Sequence, residues 1–313
     1  MSVPMKIDMR DAFFQKLVEA ATNDPRIVFL TADHGAFALA QFEKLMPFRY
    51  INVGIAEQNM IGVAAGLASS GKIPFVYGIA PFVSLRVLEH LMLDVAAMNL
   101  PVNIVSVGAG FTYSTDGPSH HGLVDLPAVL TVPNLNVLNS SDPNITSCFV
   151  DTAINNGKPN YIRIEKGFFP NIGAVQAENM ASGYRIIKNG THTIVSTGIL
   201  LHTVMAAVKD LESSHQVSFK VVDLYEINQS SINSLLKVFK NQKIVVSIEE
   251  NYASGMSMRL GHAIALSQSK VEFNCITVPD QYFYEYGDRE YVRKFAGIGK
   301  DAIFKELKTA CSI

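Results

Sequence analysis

The chain has no tryptophan, and only three cysteines occur among its 313 residues. Cys148, Cys275 and Cys311 stand far apart and form no CxxC pair, which excludes zinc-ribbon and thioredoxin-type spacings and fits thiols kept in a reducing compartment. Charge is sparse too, at 17% of residues, with 26 lysines and arginines against 28 aspartates and glutamates. That balance gives no basic excess of the kind nucleic-acid binders carry. No apolar run approaches the roughly 18–20 residues needed to cross a bilayer. The opening MSVPMKIDMRDAFF is too polar for a signal-peptide core, so a cytoplasmic location is expected. Familiar nucleotide and hydrolase motifs are missing as well. Gly108-Ala109-Gly110 runs into Phe111-Thr112-Tyr113 and fails GxGxxG, and neither GxSxG nor GxxxxGK[ST] occurs.

What remains is a chain that is nearly half apolar, with a slightly positive mean hydropathy. Without a membrane segment, that hydropathy implies more apolar surface than one copy buries, and hence association with other chains. The length suits two domains, each with its own core.

Strand-like and helix-like segments alternate, the pattern of a parallel α/β sheet flanked by helices. Expected strands are 27–31, 50–53, 73–77, 102–107, 135–138 and 161–164. Expected helices are 9–21, 56–69 and 85–97, and a long polar loop covers 108–122. Periodicity breaks over 167–183, read as a linker. Strands at 193–196, 219–224, 243–248 and 272–278 then build a second α/β unit, with helices between them.

Ligands in open parallel sheets bind beyond the C-terminal ends of strands. Glu57 lies there, in Asn52-Val53-Gly54-Ile55-Ala56-Glu57, in the first turn of an almost uncharged helix. One reading is a carboxylate that complements the helix dipole, worth about 0.3–1 kcal/mol. The other begins with the small residues that follow, Gly62, Ala64, Ala65, Gly66 and Ala68, which let another surface approach closely. A carboxylate desolvated there favours its protonated form, as proton exchange requires.

The second constellation is Asp116-Gly117-Pro118-Ser119-His120-His121-Gly122, on the long loop after the 102–107 strand. A solvated turn whose aspartate bonds its own backbone is the plain alternative. A metal site is disfavoured, because adjacent histidines chelate one ion poorly and no further ligand stands at a suitable spacing.

Together these residues resemble the transketolase family, specifically its pyrimidine-binding domain (1–170) and C-terminal domain (184–313). The resemblance implies a thiamine-diphosphate enzyme in which Glu57 hydrogen-bonds N1′ of the aminopyrimidine and drives the tautomerisation that deprotonates C2. It places Phe82 and Ile79 beside the pyrimidine ring, with Ile79 standing where the family has a second phenylalanine. It assigns Asp116 to a donor-sugar hydroxyl, His120 to the donor carbonyl and Lys166 to a substrate phosphate. His121 takes a position usually held by glutamine, and Gly108 one usually held by histidine. These departures imply an unusual or deoxygenated sugar.

The family's Gly-Asp-Gly motif, which holds Mg²⁺ on the diphosphate, does not occur in this sequence. The resemblance therefore implies a split transketolase: a β subunit that pairs with a separate diphosphate-binding subunit, in an α₂β₂ assembly acting on sugars or sugar phosphates. A 1-deoxyxylulose-phosphate-synthase-like reaction remains an alternative, since Asp116-Gly117-Pro118-Ser119-His120 and Ile248-Glu249-Glu250-Asn251 are similar to that family too. A 2-oxoacid dehydrogenase E1β-like subunit and a regulatory or scaffold protein that kept the fold are further alternatives.

Overall fold

The computed structural model describes residues 6–240 and 242–313; residues 1–5, part of the polar opening read above, lie outside the described residues. Contacts divide the chain into two units. One comprises the described residues up to Ala109 together with Ala128–Ala174, and the other Gly110–Pro127 together with Val175–Ile313.

The first unit opens with β1 (Lys6–Asp8) and α1 (Met9–Asn23). Asp8 starts the helix, its carboxylate accepting from the Arg10 and Asp11 amides at 2.9 and 3.3 Å. There follow β2 (Ile27–Thr31), α2 (Leu39–Leu45), β3 (Tyr50–Asn52), α3 (Glu57–Ser69) and β4 (Ile73–Ile79). Next come α4 (Leu88–His90), which runs on as a π-helix (Leu91–Ala97), and β5 (Asn103–Val107). After the 110–127 segment of the other unit, which holds the first residues of α5 (Asp125–Val129), the first unit resumes with β6 (Asn136–Asn139), α6 (Pro143–Asn155), β7 (Asn160–Ile164) and β8 (Phe168–Pro170).

Six of these strands form one all-parallel sheet in the order β3-β2-β4-β5-β7-β6, while β1 pairs antiparallel with β8. Strands β2, β4, β5, β6 and β7 are buried at every position, and β2 and β4 accordingly read as nearly continuous apolar runs, whereas β5, β6 and β7 also bury polar side chains such as Ser106, Asn139 and Arg163. Phe14 of α1 packs edge-on against Phe29 and Tyr77 of the sheet, with centroids 5.9 and 5.0 Å apart. At the N-terminal edge, Asn103, Asn136 and Asn160 open three adjacent strands and are buried. Asn160 Nδ2 donates to Asn103 Oδ1 at 2.8 Å, and Asn136 Nδ2 donates to Asn160 Oδ1 at 3.1 Å. Buried amides satisfied in this way tie the starts of three strands together and leave the opposite edge for chemistry.

The second unit contains α7 (Ala177–Ser182), β9 (Tyr184–Lys188), β10 (His192–Ser196), α8 (Leu200–Ser214) and β11 (Phe219–Leu224). It is completed by α9 (Gln229–Phe239), β12 (Ile244–Ile248), α10 (Met256–Leu266), β13 (Glu272–Ile276), α11 (Arg289–Phe295) and α12 (Lys300–Ala310). Its sheet runs β13-β12-β10-β11-β9, parallel except for the edge strand β9, which is antiparallel to β11.

Three expectations are corrected. The helix expected from residue 85 begins at Leu88 and widens to π geometry from Leu91. Residues before it are held in tight turns, in which the Ser84 hydroxyl donates to the Ala80 carbonyl at 2.6 Å. The expected linker contains β8 and α7, and α7 ends at Gly183 with φ +76°. The antiparallel edge strand β9 was not expected at all. Among the described residues, no helix is long and apolar enough to cross a membrane.

Candidate active site

The C-terminal edge of the six-stranded sheet gathers the candidate residues of the first unit. β3 ends at Asn52, and Gly54 turns the chain with φ +73° before α3 opens on Glu57. The helix has no side-chain cap, so its first-turn amides and dipole face a region where Glu57 supplies the negative charge. Glu57 as a residue is 6% exposed. Its partner is Arg86, whose Nη1 donates to Glu57 Oε1 at 2.8 Å. The Arg86 guanidinium carbon also lies 4.2 Å from the centroid of the Phe82 ring, within cation–π range. One arginine therefore touches both the buried carboxylate and an aromatic face.

Glu57, Ile79, Phe82 and Arg86 line a cavity of about 250 Å³ together with Ala32, Asp33, His34, Ile55 and Gly78. Gly78 keeps this wall thin, since a Cβ there would meet Val83 Cγ1 at 2.6 Å. Asp33 enters with φ +58° after β2, its backbone amide bonded to Asn52 Oδ1 at 3.0 Å. His34 sits 5.5 Å from the Tyr77 ring. Apolar walls, one buried carboxylate and one arginine suit a flat aromatic heterocycle with a basic ring nitrogen. Lys166 is exposed, just past the end of β7, and Gly108 takes φ +96° just past β5. An L side chain at position 108 would be strained by that backbone.

The loop carrying the other candidates makes its contacts in the second unit. Gly110 and Gly122 close it with two reciprocal backbone hydrogen bonds of 2.8 Å. Asp116 is exposed and His120 half-buried at its tip, with Ser119 Oγ 3.0 Å from His120 Nδ1. His121 turns inward and is buried, edge-on to Phe111 at 5.1 Å. Burial pushes its imidazole below the usual histidine value, against a weaker opposing pull from the Ser114 backbone.

The cavity thus brings together Glu57, Ile79 and Phe82, whereas Asp116, His120 and His121 share the loop of the other unit. Sequence reasoning gave no role to Arg86, Asp33 or His34. The last two had a usable signal, because they directly follow a strand. Among the described residues, no group of three His, Cys, Asp or Glu side chains is placed to hold a metal ion.

The transketolase pyrimidine-binding domain family matches residues 5–170, and the transketolase C-terminal domain family matches residues 184–303. A subunit of the apulose-4-phosphate transketolase of Actinobacillus succinogenes is 30% identical, over 92% of this chain and 94% of its own length. The SqwH subunit of the 6-deoxy-6-sulfo-D-fructose transketolase of Clostridium sp. (strain MSTE9) is 29% identical, over 93% of this chain and 90% of its own. A solved split-gene transketolase, described as an inactive β4 tetramer, is 27% identical with a TM-score of 0.86, covering 98% of both chains.

Proposed function

The chain belongs to the transketolase family, and on that premise we propose that it is the β subunit of a split enzyme moving a two-carbon ketol unit between sugars or sugar phosphates. The family depends on thiamine diphosphate. The carrying observation is the Glu57 cavity, where a buried carboxylate faces an apolar wall that includes Phe82.

Those residues fit the aminopyrimidine end of the cofactor. Glu57 would hold a proton against a ring nitrogen, while Phe82, Ile79 and Ile55 exclude water from the ring's faces. When bound, thiamine diphosphate supplies the carbon nucleophile and electron sink for C–C cleavage. Glu57 is a general acid–base group whose charge Arg86 balances. Asp116 binds a donor hydroxyl, His120 the donor carbonyl, His121 backs the same loop, and Lys166 meets a substrate phosphate. Mg²⁺ and the diphosphate belong to the partner subunit, in an α₂β₂ complex in the cytoplasm. Mg²⁺ calls for hard oxygen ligands around phosphate, and the sequence has no Gly-Asp-Gly to provide them. Names of relatives that act on apulose 4-phosphate and a sulfo-deoxy sugar support a donor outside the common ketose phosphates.

Glu57→Gln is the test. In the assembled enzyme it keeps fold and assembly and slows both ketol transfer and hydrogen–deuterium exchange at the cofactor's C2 by about 10²- to 10⁴-fold. Near-wild-type exchange would return Glu57 to the role of a helix-terminal charge.

A further inference from the structure

Two consecutive glutamates follow β12, both buried, and they do different work. Glu249 reaches forward to the start of α10, its carboxylate accepting from the Met256 and Ser257 amides at 3.0 and 2.7 Å. It caps a helix. Glu250 points to the loop. Its Oε1 accepts from the Phe111 amide at 3.1 Å and from Arg289 Nε and Arg293 Nε, each at 3.0 Å. Its Oε2 accepts from Arg289 Nη2 at 2.7 Å and Arg293 Nη2 at 2.5 Å. Both arginines are therefore bidentate on one carboxylate, the geometry that confers orientation as well as energy.

The same cluster grips the loop elsewhere. Arg289 Nη1 donates to Thr112 Oγ1 at 2.8 Å. Asn251 Nδ2 donates to the carbonyls of Gly122 and Leu123 at 3.1 and 3.0 Å, and Ser114 Oγ donates to the Gly287 carbonyl at 2.8 Å. Gly110 is what lets the carboxylate come so close. It takes φ +58°, and a Cβ there would lie 2.4 Å from Glu250 Cδ. Each end of the loop is thus fixed by buried side chains, while its tip, with Asp116 exposed and His120 half-buried, is left to meet solvent or substrate.

We propose that Glu250, with Arg289, Arg293 and Asn251, is a positioning cluster that sets the loop bearing Asp116 and His120 for the donor sugar. The inference rests on the assignment of those two residues to the donor. A charge cluster whose role was stability alone would have no need to spend a carboxylate oxygen on the Phe111 amide or an Arg289 nitrogen on Thr112. Misplacing a binding group by about 1 Å can cost about 10²-fold in rate, so a distant hub of this kind governs turnover without touching substrate.

The experiment compares Glu250→Gln with Glu249→Gln, since each removes one buried carboxylate. In the full chain, hydrogen exchange of the 110–122 amides accelerates in Glu250→Gln and stays at the wild-type rate in Glu249→Gln. In the enzyme reconstituted with its diphosphate-binding partner, Glu250→Gln lowers donor kcat/KM by about 10- to 100-fold and leaves cofactor affinity near wild type. Glu249→Gln leaves both near wild type at a temperature where it is folded. Should Glu250→Gln fail to fold, Thr112→Val removes the Arg289 contact to the loop while leaving Glu250 in place, and gives the same pattern in smaller measure. Unchanged loop exchange, or an active wild-type pair in which the two glutamine variants behave alike, overturns the positioning role alone. A wild-type pair inert toward every donor overturns the functional reading, and this inference with it.

Discussion

The Glu250 cluster makes a prediction about acid stability that needs no partner chain. Burial alone would push this carboxyl up, but Arg289 and Arg293 outweigh it and hold the carboxyl down, from 4.5 to about 2. A carboxylate with a depressed folded-state pKa stabilises the protein above its unfolded value, and that stability is lost as pH falls from about 4.5 toward about 2. At about 1.4 kcal/mol per pKa unit, the contribution at neutral pH is about 3 kcal/mol, of which about 2 kcal/mol is gone by pH 3. Other carboxylates titrate over the same range, so the diagnostic quantity is the stability gap between wild type and Glu250→Gln. Removing one partner of a buried ion pair opens a gap of about 3–5 kcal/mol at pH 6. The gap should narrow by about 2 kcal/mol at pH 3, because protonation weakens the wild-type cluster and cannot affect the amide. Urea melts at the two pH values measure this. Tyrosine fluorescence serves as the probe, since the chain has no tryptophan, and Tyr252, Tyr282 and Tyr291 report on the second unit. A gap that is constant with pH would show that Glu250 is not held ionised by the arginines.

Gly110→Ala places a Cβ against Glu250 on a left-handed backbone, so it should cost at least about 2 kcal/mol in the same melts, and a neutral result would contradict the close approach. In the assembled enzyme, the absence of a side chain at Gly108 should give weak turnover of xylulose 5-phosphate and faster turnover of a donor with a missing hydroxyl or an added substituent. Gly108→His should shift preference back toward ordinary ketose phosphates at a cost of about 1–2 kcal/mol in stability, given its φ of +96°. A donor panel in which wild type already prefers xylulose 5-phosphate and histidine changes nothing would refute that reading of position 108.

Strands such as Ile27–Thr31 and Phe219–Leu224 were legible to the residue, because strands buried on both faces are dominated by β-branched and other apolar residues, even with Lys220 and Asp223 interrupting the second. Tyr184–Lys188 was not, since an edge strand with Arg185 and Lys188 gives no such run and its pairing with β11 is set by tertiary contact. The π-helical Leu91–Ala97 reads as an ordinary helix because its apolar spacing barely differs from the α pattern. In the site, Glu57 carried a signal in its local sequence, whereas Phe82 stood out only through the family resemblance. The Arg86–Glu57 pair spans 29 residues, and the Glu250 bond to Phe111 spans 139. Contacts that distant in sequence have no periodicity to reveal them, even though Glu249-Glu250-Asn251 directly after β12 marks where to look.

On the proposed function, this chain is half of an active site. Calorimetry of the purified chain with thiamine diphosphate and Mg²⁺, followed by a ketol-transfer assay before and after adding a diphosphate-binding partner, tests it most directly. The chain alone should bind the cofactor weakly and transfer no ketol unit, and the pair should show tight binding and transfer. Stoichiometric tight binding, or ketol transfer by the chain alone, would contradict it.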